Sequence, residues 1–118
     1  MNTTKAQQRS GYALEELLSL GCDREKFAKF SAGLPSLILQ NGLGQALAFL
    51  LAKGKDEHKA GFSIIIKWLG KEKILQSTND RQAVHGISQL SQQDYLRAQS
   101  ETLKMLEWLK RYANSDLF

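Results

Sequence analysis

The stretch 34–53, LPSLILQNGLGQALAFLLAK, decides how this 118-residue chain folds. Its apolar runs are too short and too often broken by polar residues to span a membrane. The spacing predicts one buried helix over 35–53, with Pro35 in the first turn, where a missing N–H costs little. Gly42 and Gly44 stand near its middle. In a helix interior each costs about 1 kcal/mol relative to alanine. Their presence implies a small-residue packing notch, a bend, or the close approach of another backbone.

Working outward from this stretch, the punctuation is helical throughout. Asn2 or Thr3 caps a first helix over 3–20, with Ala6, Tyr12, Ala13, Leu17 and Leu20 near one face and Gly21 ending it. Asp23 caps a short helix over 24–32, bearing Phe27 and Phe30 and stopped by Gly33. After Gly54, Asp56 caps a helix over 57–69, and a short helical piece follows over 71–76. Ser-Thr-Asn-Asp at 77–80 reads as a turn, and 81–86 as one or two helical turns. Ser91 with Asp94 resembles a capping box and starts the last helix, 92–113. The single β-branched run, 62–66, does not alternate with polar residues, and Asn41-Gly42 lacks the period-two flanks of a hairpin. An all-α, compact bundle of five to seven helices is expected, as one domain over 1–118.

Hydrophobic residues make up 42% of the chain and charged residues 24%, the balance of a folded globular protein. Cys22 is the single cysteine, so no internal disulfide forms, and it reads as a small half-buried residue beside a turn. The first residues lack the apolar run of a signal peptide, which points to the cytoplasm. The net charge of +4 is unevenly placed. Residues 21–73 carry nine basic and five acidic side chains, whereas the flanking segments are balanced. Such a local positive field attracts polyanions.

Catalytic and cofactor signatures are missing. His58 and His85 lie far apart, with no cysteine or second ligand at helical spacing, so no metal site is expected. No glycine-rich loop follows a strand, and no G-x-S-x-G element occurs. Glu15 and Glu16 point to different helix azimuths and read as solvated carboxylates; His58 reads as an exposed helix start. Nothing near His85 orients it as a general base. The expectation is a non-enzyme without cofactors.

Two constellations suit binding. On the helix over 57–69, Phe62, Ile65, Ile66 and Leu69 form an apolar arc with Trp68 at its edge. Lys59, Ser63, Lys67 and, past Gly70, Lys71 share another arc, a row able to track a phosphate backbone. Lys53 and Lys55 lie in the turn just before it, and Arg24, Lys26 and Lys29 form a second basic group. Lysine dominates and aromatic residues are not interleaved, so base reading is not expected. On the last helix, Arg97–Glu101, Glu101–Lys104 and Glu107–Arg111 have the spacing of intrahelical ion pairs, while Tyr95, Ala98, Leu103, Leu106 and Leu109 face inward. Met105, Trp108 and Tyr112 remain for the core or for an interface. The tail, Asp116-Leu117-Phe118, folds back or docks on a neighbour.

Two blocks, LPSLILQNGLGQALAFLLAK at 34–53 and YLRAQSETLKMLEWLKRYA at 95–113, resemble the small all-helical subunit of the type III-B CRISPR effector, the Cmr complex. The resemblance covers about a third of the chain and leaves 74–90 unmatched. It implies a subunit without chemistry of its own. Copies of it stack inside a ribonucleoprotein beside other Cmr subunits, and their basic faces contact guide and target RNA. Target cleavage belongs to another subunit. Lys53, Arg97, Lys110 and Arg111 fall on positions where that family carries basic residues; Arg97, Trp108, Lys110, Arg111 and Tyr112 are the candidate protein interface. The alternative from the residues alone is a small helical adaptor that binds protein through Trp108 and Tyr112 and no nucleic acid.

Overall fold

The computed structural model describes residues 2–77 and 79–117. Phe118, and Thr78 of the foreseen Ser-Thr-Asn-Asp turn, lie outside them. Six helices follow in order: α1 (Lys5–Leu18), α2 (Arg24–Asn41), α3 (Leu43–Lys53), α4 (Asp56–Lys71), α5 (Asp80–Gln89) and α6 (Gln92–Ala113). The described residues contain no strand. The fold is all-α, within the helix count expected.

The decisive stretch is divided differently from its expected single helix. Gly33 does not stop α2, and Pro35 lies in the interior of that helix. An interior proline forfeits a backbone hydrogen bond, usually at a cost of about 3 kcal/mol. Tertiary packing outweighs it, because Leu34, Pro35 and Ile38 are buried. α2 also runs antiparallel along α6: Asn114 Nδ2 reaches the Ala28 carbonyl at one end, and Tyr95 meets Gly42 at the other.

The break comes at Gly42, whose φ of 83° and ψ of 160° suit only glycine. There the Leu43 N–H donates to Gln99 Oε1 at 2.9 Å and the Gly44 N–H to the Tyr95 hydroxyl at 2.9 Å. Side chains of α6 thus satisfy the first amides of α3, which would otherwise lack partners. What approaches the glycines is a tyrosine hydroxyl, not a second backbone.

Other boundaries also move. Thr4, not Asn2 or Thr3, caps α1 through a reciprocal capping box with Gln7, and α1 ends at Leu18, before Gly21. Lys55 occupies the N-cap of α4, leaving Asp56 in the first turn. The helical piece foreseen over 71–76 is instead a turn held by Lys73 at φ 60°, after which Ile74 and Leu75 are buried. Asn79 caps α5, which is longer than the two turns expected, and Ser91 caps α6 as read.

One core gathers Tyr12, Phe27, Phe62, Trp68, Leu69 and Met105 with aliphatic residues of every helix. Met105 belongs inside; Tyr95 and Leu103, expected inward, are half-buried, and Ala6 is exposed. Thr102 is fully buried on α6, and its Oγ1 has no hydrogen-bond partner among the described residues. An unsatisfied buried hydroxyl forfeits its hydration for nothing. Thr102→Val is therefore expected to raise stability by about 1 kcal/mol in urea denaturation; a loss of stability would contradict an unpartnered hydroxyl.

Candidate nucleic-acid interface

Two basic groups distant in sequence meet at one end of the molecule. Lys26 and Lys29 near the start of α2, and Lys55 before α4, line a cleft of about 830 Å³ together with Phe30 and His58. Arg24 opens α2 and Lys53 closes α3. The Lys53 ammonium stands 5.7 Å from the Phe49 ring centroid. Among the described residues, none of Lys26, Lys29, Lys53, Lys55 and Lys59 enters an ion pair.

Three carboxylates share the cleft: Asp23, Asp56 and Glu57. Asp23 caps α2 by accepting the Lys26 N–H at 2.9 Å. Asp56 and Glu57 occupy the first turn of α4, where the helix dipole favours negative charge. Their charge is therefore met in part by backbone amides.

His58 is not the exposed helix start that its charged neighbours suggest. Its side chain is 14% exposed, and its ring lies against Phe30 and Phe49, with centroids 4.6 and 6.1 Å away. Gly61 admits this arrangement: a Cβ there would fall 2.6 Å from Phe30 Cε2. His58 Nδ1 is buried with no hydrogen-bond partner among the described residues, and Glu57 Oε1, at 3.7 Å, is too far to serve. Burial holds the imidazole below its ordinary pKa; Glu57 opposes that shift, and Lys55 and Lys53 reinforce it.

The lysine row along α4 is divided. Lys59 is exposed and enters no ion pair among the described residues, but Lys67 Nζ sits 2.7 Å from Glu16 Oε1 on α1. Lys71 stands 5.9 Å from the Tyr12 ring centroid. Glu16 is thus not a free solvated carboxylate. The acidic partner sits several helices away in sequence, and no local pattern reveals it.

The interface candidates on α6 largely engage their own chain. Arg97 donates to the Glu72 carbonyl at 3.2 Å. The Tyr112 hydroxyl is 2.6 Å from Ser10 Oγ, and the half-buried Trp108 ring lies 5.9 Å from that of Tyr112. Lys110 is 3.9 Å from Glu107, while Arg111 is exposed. Glu101 pairs with neither Arg97 nor Lys104; it crosses to Arg9 on α1 at 2.6 Å. Among the described residues, Leu18, Leu39, Leu96 and Leu117 are the large apolar side chains left most open to solvent.

Residues 5–116 match the family described as CRISPR-associated protein (Cas_Cmr5). A curated relative, the CRISPR system Cmr subunit Cmr5 of Thermus thermophilus, is 33% identical over 95 residues, spanning 80% of this chain and 78% of that protein. The crystal structure of a CRISPR-associated Cmr5 family protein from Thermus thermophilus matches with a TM-score of 0.80 at 31% identity, covering 95% of this chain and 96% of that one.

Proposed function

The chain belongs to the Cmr5 family of CRISPR-associated proteins, and from this premise we propose that it is a non-catalytic small subunit of a Cmr ribonucleoprotein, working in the cytoplasm and contacting the backbone of guide and target RNA. Copies of the chain stack within the complex beside its other subunits. The observation that supports RNA contact is the gathering of Lys26, Lys29 and Lys55 around one cleft, with Lys53 near its histidine, none of them in an ion pair among the described residues. Lysine ammonium groups neutralise phosphates without reading bases, and base pairing between guide and target supplies the sequence specificity. Lys67, with its charge already met by Glu16, contributes less.

Anisotropy titration of the purified chain with a single-stranded oligouridylate tests this reading. Affinity is expected to fall steeply between about 50 and 200 mM salt as counterions compete for the phosphates. Changing Lys29, Lys55 and Lys59 together to Glu should weaken binding by about tenfold or more at low salt, while Lys67→Ala should change it far less. Equal affinity of the triple variant and the parent would remove the assignment. A single copy binds weakly, because stacked copies supply avidity.

A further inference from the structure

The charges lining the cleft balance. Lys26, Lys29 and Lys55 face Asp23, Asp56 and Glu57, three against three, so with His58 neutral the lining carries no net formal charge. Protonation of His58 leaves it at +1. Among the described residues lining the cleft, His58 alone has an ordinary titration range near neutrality. Resting on the RNA-binding reading, we propose that the cleft takes up a proton together with an RNA phosphate, the proton going to His58, so that the subunit holds RNA more tightly as pH falls through the histidine range.

The surroundings of the ring favour such coupling. Without a further anion, the imidazolium would be poorly solvated: Phe30 and Phe49 lie against the ring, Glu57 Oε1 at 3.7 Å is beyond hydrogen-bond reach, and Nδ1 is buried with no hydrogen-bond partner among the described residues. The groups that face it are Asp23, Lys26 and Lys29 from α2, Lys53 from α3, and Lys55, Asp56 and Glu57 from the cap and first turn of α4. Lys53 and Lys55 disfavour a further positive charge. A phosphate among those ammonium groups offsets that repulsion and restores the proton affinity that burial removes. Binding and protonation then reinforce each other, as linkage requires.

The test uses the full chain with oligouridylate, whose uracils do not titrate between about pH 5.5 and 7.5, the histidine range, scanned at constant ionic strength. Parent affinity should rise about threefold to tenfold across that range, one pKa unit of coupling corresponding to a factor of ten. His58→Gln, checked for native helicity by circular dichroism, should flatten the dependence, and His85→Gln, exposed on α5, should leave it intact. In the parent protein, the His58 pKa read by NMR should rise when oligouridylate is added. Binding that is equally tight at all pH values, or a His58 pKa unmoved by bound RNA, overturns the proton coupling while leaving RNA binding standing. No binding at any pH would overturn both.

Discussion

Gly42→Ala is expected to destabilise the protein by about 2–4 kcal/mol, read as a shift of the urea midpoint. Two costs combine. The backbone at φ 83°, ψ 160° is accessible only to glycine, and forcing an L side chain into it costs about 1–3 kcal/mol. The new Cβ would also stand 3.3 Å from the Tyr95 hydroxyl, displacing the group that caps the Gly44 amide. If the backbone relaxes to relieve the strain, the α2–α3 corner opens and the amides of Leu43 and Gly44 lose their partners on α6. Against a typical domain stability of about 5–15 kcal/mol the loss is large. Gly33→Ala is the control: nothing lies within 4 Å of its added Cβ, and the position is exposed in a helix. It should stabilise by about 0.5–1 kcal/mol through helix propensity. Two glycines nine positions apart giving opposite signs would establish that Gly42 is fixed by conformation; a change at Gly42 below about 1 kcal/mol would refute that strain.

These glycines also mark how far local patterns reach. The helical class, the polar caps at Asp23 and Ser91, and the apolar arc of α4 all follow from side-chain spacing and short-range hydrogen bonding, and the chain alone carries them. The placement of the break does not. Pro35 and Gly33 both oppose a helix by local propensity, yet α2 runs through them because its packing along α6 outweighs that preference. Gly42 is the break because Tyr95 and Gln99, far along the sequence, receive the amides it frees. Propensity cannot see partners at that separation.

The basic face is legible in the same partial way. The lysine excess over 21–73 identifies the region, but which lysines remain available depends on carboxylates from other helices. Spacing places Lys59 and Lys67 on one arc; the fold assigns Glu16 to Lys67 and leaves Lys59 open. His58 is hidden from sequence for a related reason. Glu57 and Lys59 make its neighbourhood look wet, whereas Phe30 on α2 and Phe49 on α3 close over the ring from other elements.

Glu101→Gln is expected to cost about 2–3 kcal/mol at pH 7, with a pH signature that a simple packing loss lacks. One carboxylate on α6 ties in two further helices. It accepts Arg9 Nε at 2.6 Å and Nη2 at 3.0 Å from α1, and Trp68 Nε1 at 3.1 Å from α4. Both charged side chains are 13% exposed, so the amide variant leaves the Arg9 guanidinium largely out of water without its counter-charge. The Arg9 hydrogen bonds hold the Glu101 carboxyl below the ordinary glutamate pKa, against the opposing effect of burial. Because the folded-state value is depressed, the native state favours the ionised form. Its contribution is complete above the unfolded value and is lost as pH falls through the folded one. The stability gap between parent and Glu101→Gln should therefore be widest near neutrality and close below about pH 4. The Lys67–Glu16 pair is the comparison, since Lys67 is 45% exposed: Lys67→Ala should cost only about 0–1 kcal/mol. A gap at Glu101 that stays constant from neutrality to the acid limb would mean that the amide perturbs packing and that the charge pair holds nothing. The coupling proposed at His58 is read at higher pH, in the imidazole range, so the two titrations separate, and the carboxylate governs only how firmly α1, α4 and α6 are joined.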